Sequence, residues 1–211
     1  MNTEGNVNSA NFGGVLRMEK VPIGTNATIC PMPVTLIGSI VKDRPNFMTV
    51  AFIARVAMDP PLLSMGLNKR SATREAILTT GVFSVNFPSV SMLKATDYCG
   101  LVSANNTDKS RLFEVFYGTA TTAPMIRQCP LSFECKVVET HDFRSHTCFI
   151  GEIVATHLDE SCLTANKPDP KKINPVMLTM PDNHYWKLGE VVGSAWNVGR
   201  DLMGTDTGGC D

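Results

Sequence analysis

The sequence predicts a mainly β fold, a closed antiparallel barrel with helices inserted between its strands. Three observations predict it. About six or seven segments rich in β-branched and aromatic residues recur along the chain, most of them bounded by Pro, Gly, Asp or Asn. The helical segments are few and do not alternate strictly with the strands, which argues against a doubly wound parallel sheet. No internal repeat or change of composition divides the chain. One domain over residues 15–200 is expected, between a polar, flexible N-terminal arm at 1–14 and a flexible tail at 201–211.

The elements follow in order. Residues 15–21 have the composition of a short strand. Val34 to Val41 reads as a strand by its branched residues. Lys42 to Asn46 reads as a turn, because Asp, Pro and Asn each favour one. Phe47 to Ala57 runs back as a second strand, stopped by Asp59-Pro60-Pro61, and Leu62 to Leu67 is a third. Ser71 is a good N-cap for a helix over Ala72–Thr80, and Gly81 is placed to end it. Val82–Phe87 is a strand closed by Pro88. A helix is expected from Ser91 to Tyr98 with Gly100 after it, then a polar loop from Ser103 to Asp108, then a short helix from Lys109 to Phe116. Strands return at Leu131–Glu139 and His146–Thr156, joined by a hairpin loop over 141–145. Residues 161–174 are Pro/Lys-rich and irregular, and Gly189 to Trp196 has the pattern of an edge strand.

Composition excludes several classes of function. The chain has 211 residues, a formal net charge of −1 and 18% charged residues, with no Lys/Arg block. A nucleic-acid or anionic-membrane surface is therefore not indicated. No apolar run is long enough for a membrane span, and the first fourteen residues lack the pattern of a secretory signal. The seven cysteines are odd in number and include no Cys-x-x-Cys. Buried free thiols in a reducing cytoplasm are the expectation.

Two windows carry chemistry. Asn68-Lys69-Arg70-Ser71-Ala72-Thr73 sits where a strand ends and a helix begins. It brings cations, hydroxyls and the unpaired N–H groups of a helix start to one place, which suits a phosphate. Asn46-Phe47-Met48-Thr49-Val50 offers polar side chains and backbone to a flat heteroaromatic ring, with Met48 to pack its apolar end. A ring with a phosphate tail suggests flavin mononucleotide (FMN). The plainer reading is solvated cations, a simple cap, a hairpin Asn and a core Met. No Gly-x-Gly-x-x-Gly follows a strand, so a Rossmann site is unsupported.

Cys129, Cys135, His141, His146 and Cys148 lack the close Cys pairs of structural zinc sites, and no metal is expected. His146 fits either a catalytic contact at the ligand or a hydrogen-bonded histidine at a strand end.

Read as an ordered set from Pro33 to Arg200, these windows resemble the flavin reductase-like family of FMN-binding split barrels, the flavoredoxins in particular. The pieces include Asn46 to Phe52, Asp59-Pro60-Pro61-Leu62, Asn68 to Thr73, Gly81 to Asn86, Tyr98-Cys99-Gly100, Asp108-Lys109, His146 to Glu152, and Trp196 with Gly199. The resemblance implies a homodimer with FMN near its interface. It implies Asn46, Met48, Thr49 and Val50 at the ring, and Asn68, Arg70, Ser71 and Thr73 around the phosphate and ribityl tail. It implies Asn86 and Lys109 as further flavin contacts, and His146 at the flavin face where a nicotinamide docks. The activity implied is oxidoreduction, with electrons passing from NAD(P)H or a redox-protein donor through FMN. A flavoredoxin-type carrier without nicotinamide activity and a non-catalytic split-barrel dimer are the alternatives. Phe52, where many relatives carry Trp, and the Ser103–Ser110 loop depart from the family pattern, so substrate identity does not follow.

Overall fold

The structure is a computed structural model describing residues 19–25 and 29–203. Its centre is a seven-stranded antiparallel sheet. In chain order, β1 is Met32–Pro33, β2 Thr35–Val41, β3 Arg44–Val50, β4 Ile53–Ala57 and β5 Leu62–Asn68. Helix α1 (Ala72–Thr80) follows, then β6 (Val82–Phe87) and α2 (Leu93–Leu101). Two-residue strands β7 (Val115–Phe116) and β8 (Met125–Ile126) precede the long hairpin of β9 (Leu131–Asp142) and β10 (His146–Leu158). The chain continues through β11 (Leu163–Thr164), β12 (Lys167–Pro168), α3 (Pro170–Ile173), β13 (Val176–Thr179) and β14 (His184–Lys187).

The strand order of the large sheet is β3-β2-β6-β9-β10-β5-β4. Its two edges, β3 and β4, are separated in sequence only by Ala51 and Phe52. Opposite edges joined by two residues meet only if the sheet curls on itself, so the sheet is rolled into a barrel. The expected single strand Phe47–Ala57 is thus two strands with a corner between them. No Gly or Pro marks that corner, which is why a continuous run of apolar and branched residues hides it.

Side-chain alternation sorts the core. Ile37 and Val85 point inward with Val50, Leu63, Met65, Leu67, Phe83, Cys135 and Phe149, and Ile77 of α1 joins them. Leu36 points outward and packs with Phe47, Cys99, Phe113, Ile126 and Cys129 beneath α2. Gly38 lies where the 117–124 segment crosses β2. A Cβ there would stand 2.1 Å from Pro124 O and 2.3 Å from Ser84 Oγ.

Helix α1 and β6 have the expected bounds. Ser71 Oγ accepts from Arg74 N–H, and Gly81 ends the helix at φ 69°. Other elements differ. The first turn is only Lys42–Asp43, both at positive φ, and Pro45 and Asn46 already lie in β3. Pro45 is tolerated because β3 is an edge strand. Gly100 lies inside α2, where a Cβ would meet Thr49 Cβ at 3.3 Å. The expected helix over 109–116 is absent, and Val115–Phe116 instead pairs with β8. The β9–β10 loop is shorter than expected, Phe143 to Ser145, because β9 runs on to Asp142.

The 161–174 segment holds a small β11–β12 hairpin and the short helix α3. The expected edge strand at 189–196 does not form. A three-stranded sheet β1-β13-β14 stands in its place. The expected strand at 15–21 falls mostly outside the described residues, and its described part, 19–21, is not a strand. The arm at 1–14 lies outside them. Of the tail, Asp201–Met203 belong to a 3₁₀ turn beginning at Arg200, and the rest lies outside the described residues.

Candidate functional site

The end of β5, the start of α1 and the outer end of β3 converge at the barrel rim. Two contacts tie the windows together. Asn46 Nδ2 donates to Thr73 Oγ1 at 2.9 Å, and Ser71 Oγ donates to Met48 Sδ at 3.0 Å. Register adds a third element, because His146 at the start of β10 is the cross-strand partner of Asn68.

A cleft follows from this arrangement. One recess of about 440 Å³ is bounded by Met48, Asn68, Arg70, Ser71, Thr73 and Lys109, with the Cys99–Ala104 segment as its far wall. A second, of about 220 Å³, is bounded by Met48 to Phe52, Gly66, Asn68 and His146. Met48 and Asn68 line both, so the two recesses are neighbours across these side chains.

The larger recess is built for an anion. The N–H groups of Ala72 and Thr73 have no acceptor among the described residues, as expected for a helix start. The Thr73 hydroxyl accepts from Asn46 and keeps its own proton to donate. Asn68 Oδ1 accepts from Arg70 N–H at 3.0 Å, leaving the Asn68 NH₂ for a ligand. The Arg70 side chain is exposed and has no hydrogen-bond or ion-pair partner among the described residues.

Lys109 is only 3% exposed. Its ammonium donates to Cys99 O at 3.4 Å and Val102 O at 3.3 Å and pairs with no carboxylate among the described residues. Burial pushes its pKa down, partly offset by the Cys99 thiol. A buried cation without a counter-ion is costly. Asn46 Oδ1, also buried and without a partner, is an acceptor and so is left for a donor group of a ligand rather than for its phosphate oxygens. The donor set therefore fits a phosphate monoester at the helix start.

The smaller recess is a slot at the β3–β4 corner. Val50 turns its side chain into the core and leaves only backbone to the slot. The Thr49 hydroxyl donates to Thr96 O of α2, which fixes that side chain. His146 closes the far end, its Nδ1 2.9 Å from Ser145 Oγ and its ring 5.9 Å from that of Phe52.

Asn86 is a correction. It is fully buried, and its amide is fully used. Nδ2 donates to Leu36 O and Ser84 Oγ, and Oδ1 accepts from Ile126 N–H and Ser132 Oγ. An amide with two donated and two accepted bonds has nothing left for a ligand, so Asn86 holds β2, β6, β8 and β9 together. Nine of the other expected residues, Met48, Thr49, Val50, Asn68, Arg70, Ser71, Thr73, Lys109 and His146, line the cleft, and Asn46 lines an adjoining recess with Lys109 and reaches the cleft through its bond to Thr73. The sequence reasoning anticipated the free N–H groups at the start of α1 but missed the Phe52 wall and the Cys99–Ala104 wall. Gly100 was the available signal for the last. Among the described residues, no three His, Cys, Asp or Glu side chains converge as a metal site.

A curled antiparallel sheet with a cleft at its rim defines the split-barrel class of proteins, and comparison with known proteins makes it specific. The flavin reductase like domain family matches residues 27–185, and the chain belongs to that family. The flavoredoxin of Methanosarcina acetivorans is 51% identical and superposes with a TM-score of 0.86, covering 88% of this chain and all of the other. The flavoredoxin of Desulfovibrio vulgaris (Miyazaki F) is 31% identical, with a TM-score of 0.79 over 86% of this chain and all of the other. The FMN reductase (NADH) of Agrobacterium fabrum is 28% identical over 129 residues, 60% of this chain and 70% of the relative.

Proposed function

We propose that this protein is an FMN-binding oxidoreductase that passes electrons from NAD(P)H or a protein donor through FMN held in the rim cleft. The observation that carries the proposal is that two neighbouring recesses share Met48 and Asn68. One end is cationic and rich in free N–H groups, and the other is a flat slot.

When bound, FMN supplies the redox chemistry, and the protein's own residues bind, orient and shield it. Arg70, Lys109, the hydroxyls of Ser71 and Thr73 and the N–H groups of Ala72 and Thr73 hold the phosphate. The Asn68 amide lies between the recesses and meets the ribityl chain. The β3 backbone from Thr49 to Ala51 meets the polar edge of the ring, and Met48 packs its apolar surface. His146, with Nδ1 beside Ser145, presents Nε2 to the open side of the slot, where a hydride donor docks.

Three further parts belong to the proposal. The protein acts as a homodimer, supported by exposed apolar residues on edge strand β4 and its ends, among them Phe52, Val56 and Met58. It works in the cytoplasm. The six cysteines among the described residues are free, which fits a reducing compartment. No helix among the described residues is long and apolar enough to cross a membrane.

The test is a titration with FMN followed by anaerobic mixing with NADH and NADPH. Micromolar or tighter binding with bleaching of the flavin bands supports the proposal; no binding ends it. The flavoredoxin likeness favours a second reading, a carrier that takes electrons only from a protein. FMN binding without reduction by either nicotinamide selects it, and steady oxidation of NADH or NADPH eliminates it.

A further inference from the structure

The chain beyond β14 is unlike the rest of the molecule. Every residue from Trp186 to Met203 is exposed. Among the described residues, one ion pair ties residues 188–203 to the body, Lys171 Nζ to Glu190 at 3.7 Å. The segment is nevertheless shaped. The N–H groups of Asn197 and Val198 donate to Ser194 O, and Arg200–Met203 form a 3₁₀ turn. Turns this short do not hold their form in water without packing. The segment is also apolar where globular tails are polar, with Val191, Val192, Trp196, Val198 and Leu202 all facing solvent.

Trp196 sharpens the point. It is 94% exposed, yet its backbone sits at φ +56°, a left-handed conformation that bulky residues rarely adopt. Such a conformation persists where surrounding contacts over-determine it. Its own chain holds the backbone there, with Arg200 Nε donating to Trp196 O at 3.2 Å beside the Ser194 turn, but leaves the indole in solvent, so the side chain is open to contacts from outside the chain.

The body carries a matching receptor. An apolar groove of about 700 Å³ runs between Pro31–Pro33 and Phe52–Ile53, and among the described residues lining it Ser64 carries the one hydroxyl that can accept an indole N–H. Ala51 and Phe52 line both this groove and the ring slot. The arm does not lie in its own groove. It leaves from β14, at the opposite edge of the small sheet from β1, whose Met32 and Pro33 form the groove wall. Trp196 lies nine positions after Lys187, a reach of up to about 30 Å, enough to cross onto a neighbouring copy.

We propose that residues 188–203 are an arm exchanged between two copies of this chain, with Trp196 of each seated in the apolar groove of the other, against the outer face of Phe52. The exchange is reciprocal about a two-fold axis, so each copy gives an arm and receives one. Trp196 buries its indole and donates its N–H to Ser64 Oγ. The seated indole braces Phe52, and each ring slot is then walled in part by the other copy. The proposal rests on the homodimer reading above.

The experiment replaces Trp196 in the full chain by the photo-crosslinking residue p-benzoylphenylalanine. Irradiated protein is separated by denaturing gel, and the products are mapped by mass spectrometry. The expected product is a crosslinked dimer joining position 196 to residues 51–53. Crosslinks confined to monomer bands, dimers joined elsewhere, or no crosslinks overturn the exchange. Light scattering on the unsubstituted protein keeps the two readings apart: a monomer overturns the dimer itself, whereas a dimer with the wrong crosslinks overturns only the arm. In parallel, Trp196→Ala raises the dimer dissociation constant about thirty-fold or more, the loss expected of a buried aromatic anchor, and Trp196→Phe restores most of it. An unchanged constant contradicts the proposal.

Discussion

Replacing Arg70 by Ala separates the two ends of the cleft. Arg70 is exposed and makes no side-chain hydrogen bond or ion pair among the described residues, so its loss costs the fold little, within about 0.5 kcal/mol. Against a bound phosphate it supplies a charge-assisted hydrogen bond, worth about 1.5–3 kcal/mol. FMN affinity should therefore fall by roughly 10- to 150-fold. Riboflavin has the same ring and ribityl chain without the phosphate, so its affinity should change less than about two-fold on the same reasoning. Titrations following flavin fluorescence in 0.15 M salt measure both. Ser71→Ala is a poorer probe, because Ser71 Oγ also caps α1 and contacts Met48. Equal weakening of FMN and riboflavin by Arg70→Ala, or none of either, would refute the phosphate assignment.

Lys109→Met tests the buried ammonium. The folded pKa of Lys109 is lowered by burial, so the unfolded chain holds more protons between that value and the ordinary lysine range, and the stability of the ligand-free protein rises with pH there. Urea midpoints from pH 7 to 10 should show the wild type gaining on Lys109→Met, and parallel curves would contradict this. Glu134 has no exposed surface. Desolvation pushes its pKa up, but hydrogen bonds from Ala120 N–H, His157 and the Thr119 hydroxyl outweigh that and hold it low. That stability is present above the unfolded carboxyl pKa of about 4.3 and is lost as pH falls through the folded value. The melting advantage of wild type over Glu134→Gln should accordingly shrink below about pH 4, and a constant difference from pH 3 to 7 would exclude the linkage. Gly38→Ala drives a Cβ onto Pro124 O. An overpacking cost of about 1–3 kcal/mol lowers Tm by roughly 2–12 °C, and an unchanged melting curve would mean that the 117–124 segment does not cross β2 so closely.

Local chemistry was legible where it decides the structure. Ser71 and Gly81 bound α1 because a cap side chain and a left-handed glycine are local requirements. The same start of α1 made the phosphate cradle visible. Features set by distant partners were not. The corner at Ala51–Phe52 arises because β3 and β4 pair with different neighbours, which no nearby residue announces. The β13–β14 hairpin follows Pro175, carries Pro181 in its connecting loop, and resembles loop until its pairing with β1 is known. Asn86 illustrates the limit at the site: a polar residue beside the cleft reads as a ligand contact until its four partners are counted.

The most direct test of the central claim is a crystal structure of the protein with FMN. The account predicts the phosphorus atom over the start of α1, its oxygens within hydrogen-bonding distance of the Ala72 and Thr73 N–H groups and of Arg70, and the ring in the slot between Met48 and His146. FMN bound with its phosphate away from α1, or its ring outside that slot, would contradict it.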